Sequence, residues 1–222
     1  MHVAGSSSWS FAESLDEMPH VALYVRDALG LEVPEGAGIP PALEGPLADR
    51  RQALDAEERT EAALQWPSWW HAIVADEARM HQGCDEPDRG SRMRDSLARR
   101  QATTGDPPEF SALSDRPALR KAVSGTCIEA CRWAEGPRRS SHRPSGGPSF
   151  AWALTKQIAE DVAFDMNVGV ESVRGVALLL AVKGDWWECI APGVVLCSRS
   201  APRDPAAAQA ILRAVFVSGS AR

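Results

Sequence analysis

Two pairs of potential metal ligands are the residues best able to do chemistry in this sequence. Two residues separate His81 from Cys84, and three residues separate Cys127 from Cys131. Imidazole and thiolate groups bind zinc, and residues i and i+4 of a helix point the same way. The four residues are therefore a candidate zinc site. Core packing is the open alternative, because Cys127 and Cys131 fall on the apolar face of a predicted helix and free cysteine is commonly buried.

Two adjacent pairs of tryptophans are candidate interface residues, Trp69 with Trp70 and Trp186 with Trp187. Exposed aromatic side chains dominate the binding energy of many protein interfaces. Neighbouring residues of a helix or strand point in different directions, so the two members of a pair are expected to have different environments. Packing in the core is the alternative for most of these tryptophans.

Several motifs that carry recognisable chemistry are incomplete. The glycines at 36 and 38 are followed by Ile-Pro-Pro, which does not fit a dinucleotide-binding loop, and neither a P-loop nor a hydrolase nucleophile elbow occurs. The segment 165–176 begins like a calcium loop, but Val176 stands where the closing acid belongs. No catalytic residue is assigned, and no cofactor is expected other than zinc at the histidine and cysteine residues named above.

Charge is distributed unevenly along the chain. Residues 1–88 carry 17 acids and 5 bases, residues 89–143 carry 6 acids and 12 bases, and residues 144–222 carry 7 of each. The acidic N-terminal part disfavours nucleic acid and anionic membranes as partners. The arginine-rich middle is interpreted as a solvated face or as charge paired within the chain, so nucleic acid is not an expected partner.

The location and source are predicted from composition. The apolar run at 176–182 is too short to span a membrane, and the N-terminus lacks the pattern of a secretory signal. Five scattered cysteines do not form the dense framework of a small secreted domain. We therefore expect reduced thiols and a soluble, cytoplasmic protein. Arginine outnumbers lysine 21 to 3, which indicates a GC-rich bacterial genome.

Helices are predicted to dominate the first two-thirds of the chain. Asp55 and Glu58 have the spacing of a reciprocal N-terminal cap, and Pro67 is expected to divide the helix that follows. Pro117 is expected to lie near the start of another helix with an apolar face. The predicted helices cover about 20–30, 56–65, 67–80, 91–100 and 117–133, and a proline-rich loop covers 32–46.

A small sheet is predicted in the last third. Strands are expected at 174–182, 186–190 and 194–198, and the short connections between them predict an antiparallel meander. A helix over about 150–165 precedes the strands. Asp204 and Pro205 have the residue types of an N-cap and a first helical position, so a last helix should begin there.

The fold class predicted is α+β. Helices of the N-terminal two-thirds would pack on an antiparallel three-stranded sheet that the C-terminal helix closes. Residues 136–148 lack core-forming side chains and predict a flexible linker between a mainly helical part, 1–135, and a helix-βββ-helix part, 149–222. The first strand is apolar on both faces and needs two covers, so the chain 1–222 is expected to form one domain.

Three functional hypotheses follow from these observations. The first is a non-enzymatic accessory module that binds another protein or a second copy of itself. The second is a protein stabilised by zinc at His81, Cys84, Cys127 and Cys131. The third is an enzyme whose site is assembled from distant residues, because catalytic groups are defined by geometry rather than by spacing.

Overall fold

The structure is a computed structural model that describes residues 8–34, 36, 38–82, 89–141 and 150–220. The chain divides into two compact units, one formed by Asp16–Ser140 and the other by Met1–Leu15 with Ser141–Arg222. We call them the helical unit and the sheet unit. The mixed helical and sheet composition predicted from the sequence is confirmed. The single domain expected for the whole chain stays a prediction.

The described part of the sheet unit contains four strands in the order β1-β2-β4-β3. β1 pairs with β2 in parallel, β2 pairs with β4 in parallel, and β3 pairs with β4 antiparallel. The strands are β1 (Ser10–Ser14), β2 (Arg174–Leu180), β3 (Trp187–Ala191) and β4 (Val194–Ser198).

The predicted meander is wrong in two respects. The sheet has a fourth strand, which lies in the N-terminal segment that we expected to be helical, and β4 lies between β2 and β3. Burial explains the order: β4 is buried along its whole length, whereas Trp187 and Cys189 of β3 are exposed. Apolar strands occupy the centre of a sheet, and strands with exposed residues occupy its edges.

Two helices cover one face of the sheet. They are α5 (Trp152–Met166) and α6 (Pro205–Ser220), and we keep the numbers α1 to α4 for the helical unit. The side chains of Ile158, Ile211 and Phe216 join those of β2 and β4 in one buried cluster. The predicted cap of α6 is confirmed, because the Asp204 carboxylate accepts hydrogen bonds from the backbone N–H groups of Ala206 and Ala207.

Four long helices lie in the described residues of the helical unit. They are α1 (Glu17–Ala28), α2 (Ala56–Gln82), α3 (Arg89–Thr103) and α4 (Pro117–Ser141). No helix in the described part of the chain is both long and apolar enough to cross a membrane.

Helix α2 begins as predicted but does not divide. The Asp55 carboxylate accepts from the Glu58 N–H at 2.8 Å, and the Asp55 N–H donates to the Glu58 side chain at 3.1 Å. The predicted break at Pro67 is wrong, because α2 continues through it. Trp66 and Trp69 on either side of Pro67 are fully buried, and this packing offsets the roughly 3 kcal/mol that an interior proline costs.

A buried arginine attaches the proline-rich loop to the helices. The Arg26 guanidinium donates to the carbonyl oxygens of Pro40 at 2.6 Å and Pro41 at 2.8 Å, and it forms an ion pair with Asp27 at 2.6 Å. The same guanidinium lies over the ring of Trp66, 5.4 Å from its centroid. These contacts fix the position of Pro40 and Pro41 against α1.

The predicted linker overlaps a helix. Gly136 and Pro137 lie within α4, which continues to Ser141, so the segment 136–141 is not a linker. The remainder of the predicted linker, from residue 142 onward, lies outside the described residues.

Candidate metal centre

Two helices of the helical unit bring three potential metal ligands together. Asp16 is the N-cap residue of α1, while Glu77 and His81 lie four residues apart near the end of α2. Residues at this spacing share one face of a helix. One ligand atom from each of these three side chains lies within 4.8 Å of the others, and all three residues are half-buried.

The carboxylate of Asp16 is directed toward α2 instead of capping its own helix. An aspartate at this position commonly accepts hydrogen bonds from the first turn, but Asp16 makes no side-chain cap. Its Oδ2 accepts a hydrogen bond from Nε2 of His81 at 3.1 Å. The start of α1 and the end of α2 are therefore joined by a polar contact.

The environment of His81 favours positive charge. Burial lowers the pKa of His81, but the hydrogen bond to Asp16 and the negative charges of Asp16 and Glu77 outweigh burial, so its pKa lies above the usual value. The same two carboxylates that attract a proton would attract a metal cation. His81 also lies in the last turn of α2, where the helix dipole favours a cation.

A second histidine, His20, holds the backbone of the candidate ligand Asp16. His20 is fully buried, and its Nδ1 donates to the carbonyl oxygen of Asp16 at 2.7 Å. Its ring packs against Trp133 of α4, with centroids 6.1 Å apart. His20 is therefore a positioning residue for Asp16 in this arrangement.

The cysteines of α4 form a separate pair. The sulfur atoms of Cys127 and Cys131 are 3.9 Å apart, and both residues are half-buried. The hydrogen bond to Cys127, burial, and a hydrogen bond to Glu17 all raise the pKa of the Cys131 thiol. Glu17 follows Asp16 in sequence, so consecutive residues contact Cys131 and His81.

The four residues of the predicted zinc site have different positions in the structure. Within the described residues, the group of three ligand atoms joins His81 to Asp16 and Glu77 and does not include Cys127 or Cys131. Cys84 lies outside the described residues. The four-ligand zinc site stays a prediction.

The predicted interface tryptophans have contrasting environments. Trp69 and Trp70 are fully buried, and their indole N–H groups donate to the Thr104 hydroxyl and the Gly38 carbonyl. They have no side-chain surface for a partner, so their interface assignment is corrected to core packing, because burial is favourable once the indole N–H is bonded. Trp187 has 36% of its surface exposed and Trp186 is half-buried.

Sequence reasoning did not identify Asp16 or Glu77 as site residues. The spacing of Glu77 and His81 on one helix face was a signal that could have paired them. Asp16 is far from both in sequence, and no local pattern relates it to them.

No protein-family model matches the chain, and no curated protein or solved structure matches it. The site therefore has to be interpreted from its own chemistry. Two carboxylates and one imidazole are ligands for a divalent first-row metal ion.

Proposed function

We propose that the helical unit binds a divalent first-row metal ion through Asp16, Glu77 and His81. The observation that supports this function is the approach of their three ligand atoms to within 4.8 Å. A mixture of carboxylate oxygens and imidazole nitrogen suits Mn²⁺, Fe²⁺ and Zn²⁺. The two negative charges of the carboxylates complement the charge of the ion.

Small side-chain movements would complete the coordination. Metal bonds to oxygen and nitrogen are about 2.0–2.2 Å long, which places neighbouring ligand atoms about 3.0–3.5 Å apart. Oδ2 of Asp16 and Nε2 of His81 are already 3.1 Å apart. A bound ion would replace the proton between these atoms, and three protein ligands would leave coordination positions for water.

The proposed role of the ion is to stabilise the helical unit. It would join the start of α1 to the end of α2, and an ion that binds the folded state alone stabilises it by about 2.7 kcal/mol at a concentration of 100 Kd.

Manganese binding to the full-length, reduced chain tests this function. Titration followed by the electron paramagnetic resonance signal of free Mn²⁺ should show one bound ion, and Asp16→Asn or His81→Gln should weaken binding at least about tenfold, the scale on which ligand and outer-shell losses act. His71→Gln is the matched control, because His71 is exposed on the same helix. Equal binding by the wild type and His81→Gln would refute the function.

A second candidate function is the binding of another protein by the sheet unit. The observation that favours it is the exposure of large aromatic side chains on α5, where Phe164 is 87% exposed and Trp152 is 71% exposed. Trp152 packs against Trp9 with ring centroids 4.6 Å apart, so an aromatic pair is accessible at the start of α5. Exposed aromatic groups of this kind serve as interface anchors.

Native mass spectrometry and quantitative co-purification from the host test this second function. A partner, or a second copy of the chain, should be recovered with the wild type and lost from a Trp152→Ser and Phe164→Ser double variant. Leu64→Ser is the control, because Leu64 is a 70% exposed apolar residue in the helical unit. Equal recovery with the double variant would exclude these residues as anchors.

A further inference from the structure

We propose that Cys127 and Cys131 form a second metal site, which binds one thiolate-preferring divalent ion such as Zn²⁺ or Cd²⁺ separately from Asp16, Glu77 and His81. The proposal rests on the geometry of α4 and does not depend on the proposed function, because the two sites use different side chains.

The distance between the two sulfur atoms matches that of two thiolates on one ion. Bonds of about 2.3 Å at a tetrahedral angle place two zinc-bound sulfurs about 3.8 Å apart. The sulfurs of Cys127 and Cys131 are 3.9 Å apart. An ion could therefore bind both without a change in the helix.

A disulfide fits the same pair poorly. Residues i and i+4 of a helix have Cβ atoms about 5–6 Å apart, whereas a disulfide requires about 3.5–4.5 Å. Oxidation would therefore have to distort α4 near its middle, which an ion with two sulfur ligands does not require. The geometry favours a chelated ion over a covalent bridge.

Accessibility also fits a binding role. Cys127 and Cys131 are half-buried, while Cys197 of β4 is fully buried in an apolar core. Buried structural cysteines have no route to a metal ion, whereas half-buried thiols do. Cys127 and Cys131 are therefore more exposed than Cys197, which is a core residue.

Glu17 of α1 contacts Cys131, because the thiol of Cys131 hydrogen-bonds to the Glu17 side chain. When the ion binds, the two S–H bonds break, each sulfur binds the ion through the electron pair of its former S–H bond, and both protons pass to water. Water completes the coordination of the ion.

Cadmium titration of the full-length, reduced chain tests the proposal. Thiolate-to-cadmium charge-transfer absorption should saturate at one equivalent for this site and should be lost in Cys127→Ser and Cys131→Ser. Cys189→Ser is the control, because Cys189 is an exposed thiol in the other unit. The band should persist in Asp16→Asn and His81→Gln, which separates this proposal from the manganese site.

A measurement on the wild type covers the case in which the serine variants do not fold. Cadmium should protect Cys127 and Cys131 from alkylation, as mapped by peptide mass spectrometry, while Cys189 stays reactive. Loss of the cadmium band in His81→Gln, or protection of Cys84 together with this pair, would overturn the separate site in favour of the four-ligand site. Unchanged alkylation of Cys127 and Cys131 would overturn metal binding by the pair.

Discussion

The two units of the protein differ in what they bury. In the helical unit the buried polar residues include three ionisable ones, His20, Arg26 and Asp76. In the described part of the sheet unit the buried polar residues are Thr155, Ser198 and Ser220, which carry hydroxyl groups. Residues 16–140 carry 22 acids and 16 bases, whereas the rest of the chain carries 8 of each.

This difference separates two ways of specifying a fold. The sheet unit depends on apolar packing, in which even a small change in the volume of a buried side chain affects stability. The helical unit also depends on buried charged groups, each of which needs a partner because an unpaired one is costly. The candidate metal ligands lie in the unit that already holds ionisable groups away from water.

The largest expected effect is a cavity in the sheet unit. Phe216→Ala should lower the free energy of unfolding by about 4 kcal/mol, because Phe216 is fully buried against β2 and aromatic-to-alanine changes cost about 3–5 kcal/mol in cores. Denaturant unfolding gives the value, and hydrogen exchange should show lost protection in β2 and β4. Val217→Ala, at an exposed neighbouring position, is the control. An equal effect of both variants would contradict a packed apolar core.

The next effect tests the buried charge of the helical unit. Arg26→Met should lower the free energy of unfolding by about 3 kcal/mol, because it keeps apolar volume but leaves Oδ1 of Asp27 and two carbonyl oxygens without the guanidinium donor. Hydrogen exchange should report the loss near α1. Arg132→Met on the exposed side of α4 is the control. If Arg26→Met left the free energy of unfolding unchanged, the helical unit would not depend on this buried charge, and the proposed difference between the units would be wrong.

A smaller effect is expected at the start of α2. Asp55→Ala should cost about 1 kcal/mol, because it removes the acceptor of a reciprocal cap. Asp55→Asn keeps an acceptor and should restore most of the stability in thermal unfolding. If asparagine and alanine were equally destabilising, the charge rather than the hydrogen bond would explain the cap.

The smallest expected effect is a dependence on pH. The hydrogen bond from Arg50 holds the pKa of Glu129 below its usual range. An acid whose pKa is lower in the folded state than in the unfolded state stabilises the fold. This stability is fully present above the unfolded-state pKa and is lost as the pH falls through the folded-state pKa. Melting temperatures of Glu129→Gln should therefore fall less than those of the wild type between neutral and acidic pH. Parallel pH curves would show that the Arg50 pair contributes nothing measurable.

Local signals in the sequence predicted much of the fold. The caps at Asp55 and Asp204, the β3–β4 hairpin and the last helix follow from residue types within a few positions of each other. Strand β1 could not be predicted, because its five residues form a strand through pairing with β2, which is far along the chain. The continuity of α2 through Pro67 likewise depends on tertiary burial of the tryptophans.

The proposed metal ligands share only His81 with the predicted zinc site, for the same reason. His81 was selected because imidazole is a metal ligand, and the pairing of Cys127 with Cys131 followed from helical spacing. Asp16 contacts His81 through the fold, so its role could not be derived from spacing. A carboxylate can be assigned as a candidate metal ligand only when the residues around it in the fold are known.

Strand β1 gives the protein a particular order of assembly. Ser10 pairs with Arg174, so β1 is synthesised well before its partner strand, and the whole of the helical unit is made between them. The helical unit is synthesised in full before β2, so it can fold first, whereas β1 can pair only after residues 174–178 are made. Until then β1 is an unpaired strand, which is a template for wrong pairing.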